Sequence, residues 1–104
     1  MLQDFTRVGR TDELSPGQMK LVEIGEERIL LTNVDGEYHA VSEVCTHVGG
    51  PLSEGTLEGP VVECPLHGSQ FDVRTGAVEN PPASDPLKVY RVLVQGQDIL
   101  VGPP

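Results

Sequence analysis

The chain carries CTHVGG at residues 45–50 and CPLHGSQF at residues 64–71, and each segment pairs one cysteine with one histidine. The spacing is Cys-x-His, sixteen residues, then Cys-x-x-His, and the chain has no other cysteine. Thiolate and imidazole suit zinc, copper or iron–sulfur centres, and short pairs on two loops can converge on one site. The sequence therefore predicts a metal centre whose candidate ligands are Cys45, His47, Cys64 and His67.

Strand patterns flank the two segments on both sides, before residue 44 and after residue 86. Alternating or β-leaning apolar residues indicate half-buried strands, and Asp35-Gly36 is a two-residue hairpin signal. The predicted strands are Phe5–Val8, Met19–Ile24, Arg28–Val34, Glu37–Ser42, Leu87–Val94 and Asp98–Val101. These patterns predict an all-β fold, a small antiparallel sandwich or partly open barrel.

The stretch from residue 44 to residue 86 is rich in loops and holds both cysteines. Short strands are predicted there at best, near residues 56–57, 61–63 and 70–73. Long loops inside compact proteins are usually functional or disordered. We expect one domain over residues 1–104, with residues 44–86 as an insert that binds the metal.

Composition and charge exclude several classes of function. Seven basic against sixteen acidic residues give a formal net charge of −9, spread along the chain without a basic stripe, so nucleic acid is not an expected partner. No run of eighteen apolar residues is present, and MLQDFTRVGR lacks the apolar core of a signal peptide. We therefore expect no membrane association and a cytoplasmic location, where cysteines are more often metal ligands or catalytic residues than partners in a disulfide.

Three kinds of site are compatible with the two Cys/His pairs. A disulfide between Cys45 and Cys64 would leave the histidines unexplained. A tetrahedral structural zinc site would need an unusually short Cys-x-His gap. A Rieske centre, in which two cysteines bind one iron and two histidines the other, fits one cysteine and one histidine on each loop.

Longer stretches around both pairs resemble one protein family. CTHVGGPLSEG (45–55) and VVECPLHGSQFDVRTG (61–76) resemble the two cluster-binding loops of Rieske proteins, and PPASDPLKVYRV (81–92) resembles their proline loop and return strand. The resemblance covers nearly the whole chain. It implies a Rieske-type fold and one [2Fe-2S] cluster, with Cys45 and Cys64 on the buried iron and His47 and His67 on the outer iron. It also implies that residues 79–86 shield the cluster from a third side.

The resemblance further implies which residues surround the ligands: Gly49, Gly68, Ser69, Phe71 and Pro82. In high-potential Rieske proteins a serine and a tyrosine after the second histidine donate hydrogen bonds to sulfur. This chain has Ser69 at the first position, but Phe71 at the second has no donor, which lowers the reduction potential. Six acids and one cation between Cys45 and Asp85 act in the same direction. We expect a potential of about −150 mV, the low end for Rieske centres.

The chain has no further cysteines, and we expect no membrane anchor, which separates it from respiratory and photosynthetic Rieske proteins. It is similar instead to the free-standing Rieske ferredoxins that feed oxygenases. This implies a one-electron carrier, not an enzyme, that is monomeric in solution. Its transient partners would be an NAD(P)H-dependent flavoprotein reductase and a terminal dioxygenase. The alternatives are the small Rieske subunit of a cytoplasmic nitrite reductase and a structural zinc-binding module.

Overall fold

The computed structural model describes residues 4–46, 49–66 and 68–104. Within these ranges the chain forms eleven β-strands, together with short 3₁₀ turns at Thr11–Glu13 and Leu52–Glu54. The strands are β1 (Thr6–Arg10), β2 (Met19–Ile24), β3 (Glu27–Val34), β4 (Glu37–Ser42), β5 (Thr56–Glu58), β6 (Val61–Glu63), β7 (Gln70–Asp72), β8 (Val78–Asn80), β9 (Val89–Tyr90), β10 (Val92–Gln95) and β11 (Asp98–Val101). The predicted all-β class is confirmed. None of the helices in the described ranges has the length and apolarity needed to cross a membrane.

The strands form three antiparallel sheets. Two of them, β1-β11-β10 and β2-β3-β4-β9, come from the flanking segments, and the third, β5-β6-β7-β8, comes from the insert. Asp35 and Gly36 both have positive φ, at 52° and 96°, as a two-residue hairpin between β3 and β4 requires. The insert therefore builds a small sheet of its own between two strand-forming flanks.

Strand β3 separates two apolar cores. Its residues 29–34 are all buried, because the strand is covered on both faces. Leu30 pairs with Val41 of β4 and faces the core beneath the insert. Leu31 pairs with Ala40 and faces the core between the flanking sheets. Alternate side chains of one strand thus serve both cores.

The prediction of one continuous strand over Leu87–Val94 is wrong. The structure divides it at Arg91 into β9, which pairs with β4, and β10, which pairs with β11. The Arg91 carbonyl accepts a hydrogen bond from Gly102 N at 2.9 Å, at the point where the chain passes from one sheet to another. An apolar strand pattern does not record a change of partner strand. The structure also adds β8, so the loop predicted from residue 79 begins at residue 81.

Candidate metal centre

Two loops present the cysteines. Loop 1, residues 43–51, follows β4, and loop 2, residues 64–69, joins β6 to β7. Cys45 N donates to the Gly50 carbonyl at 2.8 Å, and Cys64 N donates to the Ser69 carbonyl at 2.8 Å. Each loop is therefore closed on itself by a hydrogen bond from its own cysteine.

Both thiols are free and buried, with 1% of each residue exposed. A disulfide between Cys45 and Cys64 is thus not formed in the structure. Burial raises the pKa of the Cys64 thiol, the Leu66 N–H lowers it, and the neighbouring Cys45 thiol raises it again. The thiolate is the form that binds metals, and burial disfavours it. The Cys64 thiol should therefore lose its proton when a metal cation binds to the sulfur.

The backbone around Cys64 Sγ fits a metal–sulfur centre. Leu66 N–H donates to this sulfur at 3.4 Å, the kind of contact that tunes a ligating cysteine. A Cβ atom at Gly50 would lie 2.9 Å from Cys64 Sγ and 3.1 Å from Leu66 Cδ1, so loop 1 can approach loop 2 this closely only with glycine there. Two buried cysteines, one on each loop, with a backbone N–H donating to Cys64 Sγ, match the donor set of an iron–sulfur cluster.

The two candidate histidines, His47 and His67, lie outside the described residues. Their positions in the sequence assign one to loop 1 and one to loop 2. Their role as ligands remains a prediction.

The structure places the other residues expected around the ligands in three kinds of environment. Gly49 and Gly68 have positive φ, at 75° and 76°, which favours glycine in both loops. Ser69 and Phe71 are completely buried, and Phe71 packs in the same core as both cysteines. Pro82 is exposed in the loop of residues 81–86, while the next residue, Ala83, is buried.

Two contacts of the loops were not predicted. Glu43 is completely buried, and its carboxyl group accepts hydrogen bonds from Ser53 N at 2.9 Å and Ser53 Oγ at 2.6 Å. Thr46 Oγ1 donates to the Asp85 carbonyl at 2.7 Å. Glu43 had no sequence signal, because nothing separates it from the many acids that are exposed. Thr46 had a weak one, since it is a hydroxyl residue between two candidate ligands.

Comparison with known proteins decides the family. The Rieske [2Fe-2S] domain family matches residues 4–91. The chain belongs to that family. It is 46% identical to the biphenyl dioxygenase ferredoxin subunit of Pseudomonas sp. (strain KKS102), over 93% of this chain and 90% of that protein. Its fold matches the ferredoxin of carbazole 1,9a-dioxygenase from Nocardioides aromaticivorans IC177 with a TM-score of 0.92, 33% identity and coverage of 96% and 98%.

A second solved structure is a complex of reduced oxygenase and oxidized ferredoxin in carbazole 1,9a-dioxygenase. The chain matches it with a TM-score of 0.92 and 35% identity, over 96% of this chain and 94% of that chain. Together these comparisons confirm the predicted Rieske fold and the [2Fe-2S] cofactor. They also confirm that the Rieske protein is a ferredoxin-type electron carrier rather than an enzyme.

The surface of the insert in this Rieske protein is acidic. Arg74 is the insert's one Lys or Arg, and its Nη2 lies 2.8 Å from Asp72 Oδ2, so a neighbouring acid neutralises it. The insert's other five acids are exposed: Glu54, Glu58, Glu63, Glu79 and Asp85. The surface of the insert thus carries an excess of negative charge.

Acid is expected to remove the stabilisation that the Asp72–Arg74 pair provides. Hydrogen bonding to Arg74 lowers the pKa of Asp72 from its ordinary value of 3.8, and burial opposes this. Because the folded pKa is depressed, the contribution is complete above about pH 4 and is lost as the pH falls through the folded value. Arg74→Ala should therefore destabilise the protein at about pH 7 and progressively less below about pH 4.

Urea unfolding of Arg74→Ala and of the unmodified protein across this pH range measures the effect. Arg7→Ala is the matched control, since it removes a more exposed pair in which Arg7 Nε lies 2.8 Å from Asp98 Oδ1. Arg7→Ala should lower the free energy of unfolding at neutral pH by less than Arg74→Ala does, because exposed ion pairs contribute little to stability. A loss of stability in Arg74→Ala that stays constant from neutral to acid pH would contradict a stabilising role of the Asp72–Arg74 pair.

Proposed function

We propose that this Rieske protein is the ferredoxin component of an aromatic-ring dioxygenase system. It accepts one electron from an NAD(P)H-dependent flavoprotein reductase and delivers it to a terminal dioxygenase. The observation that carries the proposal is the match, over nearly the full length of both chains, to ferredoxin components of biphenyl and carbazole dioxygenases. No specific feature favours a nitrite reductase subunit. A cytoplasmic location, a monomeric state and a single domain belong to the same proposal.

The proposed ligands are the four residues identified from the sequence: Cys45, His47, Cys64 and His67. When bound, a Rieske centre supplies a one-electron couple. The cysteines would hold its inner side against the apolar core of Phe71, Leu52 and Val62, which excludes water from the sulfurs. Phe71 has no donor for sulfur, which supports a potential of about −150 mV.

Exposed apolar residues beside both cysteines in the sequence support a docking surface at the cysteine loops. Val44 is 40% exposed and precedes Cys45, while Leu66 is 45% exposed and follows Cys64 by two residues. Electron-transfer partners bury little surface and separate quickly. Exposed apolar residues on an acidic insert suit such a contact.

Reconstitution with the purified reductase and terminal oxygenase of a biphenyl dioxygenase system tests the proposal. NADH-dependent reduction of the oxygenase cluster should require this protein, and a redox titration should give a reversible one-electron couple near −150 mV. The Cys64→Ser variant is the control, because it lacks a proposed ligand. Failure of the reduced protein to reduce the oxygenase, with its own cluster intact, would reject the proposed partner.

Electron transfer should slow as salt increases. A net charge of −9 favours a basic partner surface, and salt screens that attraction. We expect the second-order rate constant to fall about tenfold between about 0.05 M and about 0.5 M salt. Glu63→Gln, next to Cys64, should weaken this dependence more than Glu26→Gln in the hairpin between β2 and β3. A rate that does not respond to salt would argue against docking through the acidic insert.

A further inference from the structure

The loop of residues 81–86, here called the proline loop, rests on very little buried surface. Its residues are exposed except Ala83, which is 4% exposed. The loop is fixed at its ends, by the pairing of Asn80 in β8 with Gln70 and by Leu87 N donating to the Gly76 carbonyl at 2.8 Å. Between these ends, one buried methyl group gives the loop little hydrophobic stabilisation.

Two hydroxyl groups hold the middle of the proline loop. Thr46 Oγ1, from loop 1, donates to the Asp85 carbonyl at 2.7 Å. Ser69 Oγ, from loop 2, accepts from Ala83 N at 3.0 Å. In the part of the chain that the structure describes, these are the hydrogen bonds that connect residues 81–86 to the rest of the molecule. One bond goes to each cysteine loop. In the proline loop, the two bonds involve Ala83 and Asp85, which are two residues apart.

We propose that Thr46 and Ser69 form a clamp that holds the proline loop across both cysteine loops and so keeps the cluster in place. Thr46 and Ser69 act here as positioning residues, because each holds a loop and neither is a proposed ligand. The inference rests on the ligand set of the proposed function. In this proposal the two hydrogen bonds connect the two cysteine loops through the proline loop. No disulfide connects them, since Cys45 and Cys64 are both free.

The two hydrogen bonds of the clamp should depend on each other through the proline loop. The Ala83 amide and the Asp85 carbonyl belong to one short segment, so releasing Asp85 from Thr46 should also weaken the bond between Ala83 and Ser69. Opening the segment would let solvent reach both cysteine loops. The potential of an iron–sulfur centre depends on its exposure to solvent, so the clamp should influence the potential as well as cluster retention.

The test compares Thr46→Val, which removes the hydroxyl at nearly constant shape, with Thr46→Ser, which keeps it. The readout is the rate at which a ferrous chelator abolishes the visible absorption of the holoprotein. Loss of one hydrogen bond should accelerate cluster loss about five- to tenfold in Thr46→Val, and Thr46→Ser should behave like the unmodified protein. Thr32→Val is the matched control, because Thr32 Oγ1 donates to the His39 carbonyl at 3.0 Å within the sheet that contains β3 and β4.

Two further readouts separate a clamp from a general loss of stability. Hydrogen exchange at the Ala83 amide should quicken in Thr46→Val although Thr46 does not contact that amide, and the reduction potential should shift. The effects of Thr46→Val and Ser69→Ala on cluster loss should be less than additive, since either change opens the same loop. Thr32→Val should leave the Ala83 amide and the potential unchanged.

The clamp is overturned if Thr46→Val loses its cluster no faster than Thr32→Val, or if Thr46→Ser fails to restore the slow rate. Additive effects of Thr46→Val and Ser69→Ala would also reject the coupling through the loop. None of these measurements requires a reductase or an oxygenase. A failure of electron delivery would therefore be distinguishable from a failure of the clamp.

Discussion

Cys64→Ser is expected to abolish the metal centre while the β-sheets remain. Cys64 is 1% exposed, its Sγ accepts a hydrogen bond from Leu66 N, and Gly50 leaves just enough space beside that sulfur. Serine has nearly the same shape but replaces a soft thiolate with a hydroxyl that binds iron poorly. Purified Cys64→Ser should contain almost no iron, against about two atoms per chain in the unmodified protein, and should lack the visible absorption.

Leu66→Ala provides the control for this prediction. Leu66 lies two residues from Cys64 but is 45% exposed, so the cluster should be retained when its side chain is removed. Far-ultraviolet circular dichroism checks that Cys64→Ser keeps its strands. His47→Ala and His67→Ala should lose iron in the same way, which tests the two predicted ligands outside the described residues. A Cys64→Ser protein with a normal cluster would require a different set of ligands.

Phe71→Ala is expected to have the largest effect on stability. Phe71 is completely buried and packs in the core that contains both cysteines. Removing a buried phenyl ring typically costs about 3–5 kcal/mol, through lost burial and the cavity left behind. That is a large part of the 5–15 kcal/mol that stabilises most small proteins, so the cluster should also be lost more readily.

Urea unfolding of the holoprotein measures this cost. Phe5→Ala is the matched control, since Phe5 is only half-buried and its ring packs against Gly102. It should cost clearly less and should leave the cluster in place. Phe71→Leu should also cost less than Phe71→Ala, because most of the volume is refilled. Equal costs for the two alanine substitutions would contradict the larger contribution to stability expected of the buried Phe71.

The strands of the flanks could be predicted because local patterns determine them. Met19–Ile24 and Glu37–Ser42 agree with the structure at both ends, since alternation and the Asp35-Gly36 hairpin are properties of neighbouring residues. The division at Arg91 could not be predicted, because the choice of partner strand depends on distant segments. Strand β8 was missed because the prolines that follow Asn80 indicate a loop.

At the metal site, too, local sequence patterns could be predicted and contacts between distant residues could not. Residue type and spacing identified the two pairs of Cys45 and Cys64 with their histidines, because ligand chemistry restricts which residues can occur. The contacts of Glu43 with Ser53 and of Thr46 with Asp85 join residues ten and thirty-nine positions apart. Carboxyl and hydroxyl groups are common on surfaces, so only the folded arrangement shows which of them hold the loops.

Strand β3 has a consequence for how the protein opens. Leu30 belongs to the core beneath the insert, and Leu31 belongs to the core between the flanking sheets. Neither core can come apart without exposing part of a strand that the other core needs. We therefore expect the amides of β3 to exchange with solvent only when the entire protein unfolds. Loss of the core around the cysteines and loss of the core between the flanking sheets would then both be detected as exchange at the amides of β3.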